Sequence, residues 1–338
     1  MGTPFQWPAL VLTAGLATRL QPLSSVRAKA ALPVAGTPLV VRILHWLRDA
    51  GVPRTVLNLH HRADSITRLV GDGSSIGVEV RYSWEAEILG SAGGPARAIP
   101  LLASDRFLIV NGDTLADVDL RAMAQQHIDT NALVTMAVVD ADPRYNAIVA
   151  DEAGIVRGFS SRTSSTLSTS STLSTPSTSG TSGTQGTQGT FHFIGIQIVN
   201  AAVFAGVSPD VKSETVHGIY PSVMASRPGA VRVFRTTAEF FDIGSPRDYL
   251  DTAITIAGRE GQPLDLGRDC AIAADARLTN TVVWDRVSVG AGARLSECVV
   301  ADDVAVAPGA EFSRCSLVMR DNALVVQPFN GSMVQQFR

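Results

Sequence analysis

The sequence predicts an α/β core built on a mostly parallel sheet, followed by a smaller unit of stacked parallel coils. Two patterns carry this expectation. In the first part of the chain, short apolar runs alternate with amphipathic stretches, the order that builds a sheet covered on both faces. Near the end, a period of 17 residues takes over.

The core elements follow in order. "ALVLTAG" reads as a buried strand that ends at Gly15. "PLVVRILHWLRDAGV" carries apolar residues at helical spacing with Gly51 as its stop, and "TVLNLH" is the next strand. "ADSITRLVGDG" and "VEVRYSW" repeat the pair, and "RFLIVNGD" is a continuous apolar run that ends in polar residues. The helix "DLRAMAQQHI" leads to the strand "LVTMAVVD". Sheets of this kind bind ligands at the carboxyl ends of their strands, where both Gly15 and "NGD" fall.

Residues 160–190 break the pattern, because 21 of these 31 residues are Ser or Thr. Such a composition buries too little apolar surface to order itself, which predicts a disordered insertion between "IVRGF" and "FHFIGIQIV". Repeat expansion in a tolerant loop and a phosphorylated regulatory loop are the two readings of it. In the repeat, Ile272, Val289 and Val306 fall in register, as do Leu278, Leu295 and Phe312, and Val283, Val300 and Leu317. Ala276, Ala293 and Ala310 mark turns, so each coil circles a triangular prism in steps of 6, 6 and 5 residues. Cys298 and Cys315 then stack below Thr281 as a reduced core ladder.

Composition narrows the function. A net charge of −3 supplies no basic field for nucleic acid or an anionic membrane, and no apolar run reaches the length of a membrane span. Three cysteines, an odd number, argue for a reducing cytoplasm, and "MGTPFQWPALVL" has no basic leader segment. The chain holds only two lysines, Lys29 and Lys212, against 26 arginines. Lys29 lies in "LTAGLATRLQPLSSVRAKAALPVAGTPL", where Gly15, Ala17 and Thr18 follow a strand and offer backbone N–H groups in a tight turn. Nested amides of this kind can wrap a phosphate, with Arg19 as a guanidinium fork and Lys29 as a point charge. A structural turn bearing two solvated cations is the plainer alternative.

The whole stretch resembles the signature of sugar-1-phosphate nucleotidylyltransferases. "LGSAGGPARAI" is similar to that family's L-G-T-A-G segment, "VNGDTL" to its N-G-D strand, and "FFDIGSPRDYLDTA" (Phe240 to Ala253) to its W-x-D-I-G-T-P segment. The four motifs stand in the family's order, and the chain most resembles mannose-1-phosphate guanylyltransferases and related bacterial enzymes. The resemblance implies a Rossmann-like nucleotidyltransferase core over residues 1–258. It also implies a left-handed parallel β-helix of hexapeptide repeats over 263–338, a unit through which copies of the chain could associate.

What the resemblance implies for chemistry is attack by a sugar 1-phosphate on the α-phosphorus of a nucleoside triphosphate, releasing pyrophosphate. Thr13, Ala14, Gly15, Ala17, Thr18, Arg19, Lys29, Gly90, Ser91, Gly93 and Asn111 would bind the nucleotide, with Arg19, Lys29 and Asp113 catalytic. Asp113 and Asp242 would hold Mg²⁺; judged alone, either could simply cap a turn. Tyr145, Asn146, Arg162 and Gly195 would meet the sugar phosphate. Glu85 could accept from guanine N1–H and N2–H₂ together, which leans towards GTP over UTP or dTTP, or it could be a solvated strand-end charge. Gly93 and Gly94 would let base or ribose come close to the backbone. Three departures stand out. Ala17 replaces a glycine, Ala30 replaces a proline, and the family's E-K-P lysine is absent, which leaves Arg162 as its stand-in. The missing lysine keeps a sugar-nucleotide-binding regulator open as the rival reading. An acyltransferase is excluded, since all six histidines lie upstream of the repeat.

Overall fold

The computed structural model describes residues 5–160, 189–264, 266–330 and 335–337. The insertion over 160–190, Arg162 included, therefore lies almost entirely outside the described residues. The core elements run in chain order as β1 (Ala9–Leu12), a short hairpin of β2 (Pro33–Val34) and β3 (Thr37–Pro38), α1 (Leu39–Ala50), β4 (Thr55–Leu59), α2 (Ala63–Val70) and β5 (Val80–Trp84). Then come α3 (Gly90–Leu102), β6 (Arg106–Asn111), β7 (Thr114–Ala116), α4 (Leu120–Asp129), β8 (Val134–Asp140), β9 (Ala147–Ala150) and β10 (Val156–Ser160). β11 (Gly189–Asn200), α5 (Tyr220–Ser226), β12 (Val231–Arg235), β13 (Phe240–Asp242) and α6 (Pro246–Glu260) complete the core.

The order β6-β1-β4-β5 is parallel throughout, as the alternating pattern predicts. The other half is mixed: β11 runs antiparallel to β6, β8 and β9, while β12 lies parallel to β8. Successive strand residues face opposite layers. Val11, Leu57 and Val110 pack under α1 and α2, whereas Leu10, Val56 and Ile109 pack against α3. α1 stops where expected, at Gly51 in the left-handed conformation (φ 90°). α4 starts on Asp119, whose carboxylate accepts from the Arg121 and Ala122 amides.

Beyond α6, short strands form three parallel ladders. Ala271–Ile272, Ser288–Val289 and Ala305–Val306 make one, and Arg277–Thr279, Arg294–Ser296 and Glu311–Ser313 the second. Val282–Val283 and Val299–Val300 continue onto Cys315–Arg320 in the third. All three apolar rows read from the 17-residue period lie in this register. Cys298 and Cys315 are free, buried and 3.7 Å apart at sulfur. The coils turn at left-handed residues that also recur with the period: Asp269, Arg286 and Asp303, and Asn280, Glu297 and Arg314. These corners use no glycine, so glycine spacing does not reveal them.

The two units share one apolar cluster. Leu20, Leu23 and Leu32 from the opening segment and Tyr249, Leu250 and Ala253 from α6 pack with Val282, Trp284, Val299 and Ala301 of the coils. Trp284 and Tyr249 are both fully buried there.

Candidate active site

Two strand ends frame the site. β1 and β6 are neighbours in register, with Leu12 opposite Asn111, and each runs directly into a loop. Gly112 makes the close approach feasible: its amide donates to the Leu12 carbonyl at 3.0 Å, and a Cβ there would lie 2.7 Å from that same oxygen. Asp113 follows and turns into the cleft. Asp242 arrives from the other side, because β13 pairs with β7 and places Asp242 opposite Thr114. The Ile243 amide also donates to the Asp113 carbonyl at 3.2 Å.

A cleft of about 370 Å³ lies between these elements. Thr13, Gly15, Ala17, Thr18, Arg19, Lys29, Gly112, Asp113 and Gly244 line it. Lys29 Nζ donates to Asp113 Oδ2 at 2.6 Å. Burial pushes the Asp242 carboxyl above its ordinary range, and the Asp113 charge adds to that against the pull of Lys29 and Arg19. A carboxyl held up by burial and by a neighbouring carboxylate marks a place that would accept further positive charge. Thr18 and Arg19 stay exposed at the mouth. Arg19 passes close over Gly244, where a Cβ would meet its Nη1 at 3.3 Å. Ala17 is left-handed at φ 49°, a conformation in which a glycine carries no steric penalty.

Glu85 requires a correction. It is buried, not solvated, and does not present its carboxylate to a base. Oε1 accepts from Asn58 Nδ2 at 2.7 Å and Oε2 from the Leu89 amide at 2.9 Å. Asn58 in turn accepts from the Thr13 and Ala14 amides at 2.6 and 3.4 Å. Glu85 is therefore the far end of a relay that holds the loop after β1. Gly94 is small for the same reason, since a Cβ would sit 2.8 Å from Glu85 Oε1. The other α3 residues are also engaged within the protein. A Cβ at Gly93 would meet the Val211 carbonyl at 2.6 Å, so that glycine makes room for the loop that carries Val211. Ser91 Oγ donates to Glu214 at 2.6 Å, and Gly90 (φ 75°) packs on Ser213 and Glu214.

Asn58 was missed in the sequence. The signal that finds it is its place at the carboxyl end of β4, opposite Leu12 of β1. A second cavity of about 340 Å³ gathers Tyr145 and Asn146 with Phe159, His192, Phe193 and His217. Tyr145 stacks on His192 with ring centres 4.0 Å apart, and Phe240 leans on both rings. Burial holds His192 below its usual range, towards the neutral imidazole. Gly195 (φ 79°) faces the Asn111 side chain, which would lie 2.9 Å from a Cβ. Among the described residues, no three His, Cys, Asp or Glu side chains gather as a metal cluster, and no helix is long and apolar enough to cross a membrane.

The family model described as nucleotidyl transferase matches residues 8–258. The chain belongs to this family. Mannose-1-phosphate guanylyltransferase of Mycobacterium tuberculosis is 33% identical over 160 residues, 47% of this chain and 45% of that one. N-acetylmuramate alpha-1-phosphate uridylyltransferase of Neisseria meningitidis serogroup B is 43% identical over 118 residues, 35% of this chain and 51% of its own. The chain thus spans about half the length of these curated relatives. Among solved structures, HddC from Yersinia pseudotuberculosis complexed with GMP-PN superposes with a TM-score of 0.58 at 24% identity, over 74% of this chain and 99% of that one. That likeness establishes the fold of the core.

Proposed function

We propose that the chain is a sugar-1-phosphate nucleotidylyltransferase, converting a nucleoside triphosphate and a sugar 1-phosphate into a nucleotide sugar and pyrophosphate. The observation that carries this reading is the convergence of Lys29, Arg19 and Asp113 on one cleft behind a turn rich in backbone amides, with Asp242 near enough to feel all three charges. The acceptor phosphate oxygen bonds to the α-phosphorus as the bond to the β-phosphate oxygen breaks. Little covalent work falls to the protein, so positioning and charge supply the catalysis. The loop from Thr13 to Thr18 cradles phosphate, Arg19 meets the departing pyrophosphate, and Lys29 neutralises charge beside the reacting phosphorus.

The paired carboxylates fit a divalent cation, and in this reading Asp113 and Asp242 hold Mg²⁺. Bound there, it would supply Lewis-acid stabilisation of charge on the phosphates. Tyr145, Asn146 and Gly195 are assigned to the sugar phosphate, with Arg162 as the stand-in for the absent lysine. The reading also includes the cytoplasm as location, units at residues 1–258 and 263–338, a left-handed sense for the coils, and self-association through them.

GTP with a mannose-type 1-phosphate is the first substrate pair to test, supported by the guanylyltransferase relative. UTP is the second, supported by the uridylyltransferase at 43% identity and by the engagement of Glu85 away from the cleft. A pyrophosphate-release screen of five nucleoside triphosphates against a panel of sugar 1-phosphates, with Mg²⁺, separates them. Sugar-nucleotide binding without release for any pair would favour the regulator.

A further inference from the structure

Lys29 sits on a weak local structure, a single 3₁₀ turn over Lys29–Ala31. Its alanines pack among α1 and α2, and the Ala28 amide donates to Ser65 Oγ at 3.0 Å, but both ends of the segment are held from far along the chain. Arg27, two positions earlier, is closed in by the coils. Its Nε donates to Asp302 Oδ2 at 2.8 Å, and its Nη2 donates to Asp302 Oδ1 at 2.6 Å and to Asp285 Oδ2 at 2.9 Å. The guanidinium also lies 5.1 Å from the centre of the Trp284 ring. All three side chains of this ion cluster are at most 15% exposed. The acceptors are in turn fixed: Asp302 Oδ1 accepts from the Asp285 amide and Asp285 Oδ1 from the Arg268 amide.

The other end of the segment is held from the same place. The Pro33 carbonyl accepts from Tyr249 Oη at 2.6 Å, and that oxygen accepts from Trp284 Nε1 at 3.0 Å. Trp284 thus touches the Arg27 end with its face and the Pro33 end through its edge. Between these two anchors, Lys29 reaches Asp113. α6, which begins just after Asp242, is tied to the coils as well, through Arg247 and Glu297. Attaching a separate folded unit needs only the apolar contact; it does not need two desolvated aspartates aimed at one guanidinium.

We infer that the C-terminal coils are part of the active-site scaffold, with Arg27 a positioning residue that acts through Lys29. The consequence for turnover rests on the transferase reading above; the clamp itself does not. A planar fork bound to one carboxylate through two N–H groups fixes direction as well as distance, which an ammonium cannot do.

The test uses the full chain with Arg27→Lys and Asp302→Asn, two variants that keep bulk and most packing. Hydrogen–deuterium exchange is read first, at residues 28–33. Faster exchange there, with little change over β4 and α1, is expected; unchanged exchange overturns the clamp whatever the activity. Pyrophosphate release is read second, with the best substrate pair of the wild type. Each variant should lose about tenfold or more in kcat, as misplacement of a catalytic group does, with KM for the sugar 1-phosphate altered less than about threefold. In a Lys29→Ala background the same substitutions should cost less than about twofold, because the group they position is gone. An undiminished loss in that background shows a purely structural role and overturns the inference. A wild type inactive with every pair removes the transferase reading instead, and exchange alone then decides the clamp.

Discussion

The strand ends of the sheet and the stacked coils treat charge in opposite ways. At the ends of β1 and β6, Arg19 stays exposed and two carboxylates crowd one another over a single lysine. Along the coils, charges pair with the next turn of the stack, as in Arg286 with Asp303 and Arg294 with Glu311. A repeat that returns every 17 residues brings opposite charges alongside one another, and they satisfy each other. A strand end has no such neighbour. Its leftover charge marks where a ligand is expected, whereas the turn-to-turn pairs of the coils are those of a scaffold.

The sharpest way to break this contrast is at the carboxylates. Asp113→Asn or Asp242→Asn is expected to lower turnover about a hundredfold or more, with folding intact by circular dichroism, since each removes a carboxylate that would hold the cation against the reacting phosphates. Chelation with EDTA is expected to do the same. Mutants or chelated enzyme of equal activity would remove the metal role.

Next comes the relay. Asn58→Ala withdraws the acceptor from the Thr13 and Ala14 amides and should cost about tenfold in kcat/KM, through loss of loop geometry. Glu85→Gln should destabilise the fold by about 1–3 kcal/mol in urea titration, because an amide group then faces a buried donor. It should leave the GTP-to-UTP ratio of kcat/KM unchanged. A shift in that ratio would restore Glu85 as a reader of the base.

Acid should distinguish the two regions. Burial holds His127 below its ordinary value of 6.5, while Asn200 and Thr135 accept or donate at its ring nitrogens. The unfolded chain therefore takes up a proton there that the fold refuses, so stability is full above pH 6.5 and falls as pH drops below it. Asp285 behaves in another window. Burial opposes its charge, but the Arg268 amide and the Arg27 and Arg268 guanidinium groups hold it below 3.8. Its contribution is present above that value and is lost only as pH falls through the lower folded pKa. Urea midpoints should decline from pH 7 to 5.5 in the wild type and less steeply in His127→Gln, with Asp285→Asn leaving that slope unchanged.

The smallest effect is expected at Ala17. Ala17→Gly relieves a left-handed Cβ and should raise stability by up to about 1 kcal/mol, net of the extra freedom of the unfolded chain. A fall in melting temperature would show that the turn is not strained.

Much of this was legible from residues close in sequence. β1 with its loop, α1 with its Gly51 stop, the N-G-D turn and all three rows of the coils follow from local pattern, because periodicity and turn chemistry are properties of neighbours. Glu85 was not legible. A carboxylate four residues before an apolar Leu89 reads equally as a base contact or a surface charge, and only the arrival of Asn58 from β4 decides that it faces inward.

By itself, then, the sequence determined the α/β core, the 17-residue coils and the set of cations and carboxylates that make up the cleft. Tertiary structure alone decided which charges are paired. Arg27 and Lys29 stand two residues apart in one short segment, yet Arg27 is closed in by aspartates 258 and 275 positions away while Lys29 pairs with Asp113 at the cleft. Desolvation and pairing depend on what the rest of the chain brings to a side chain, and no local pattern encodes that.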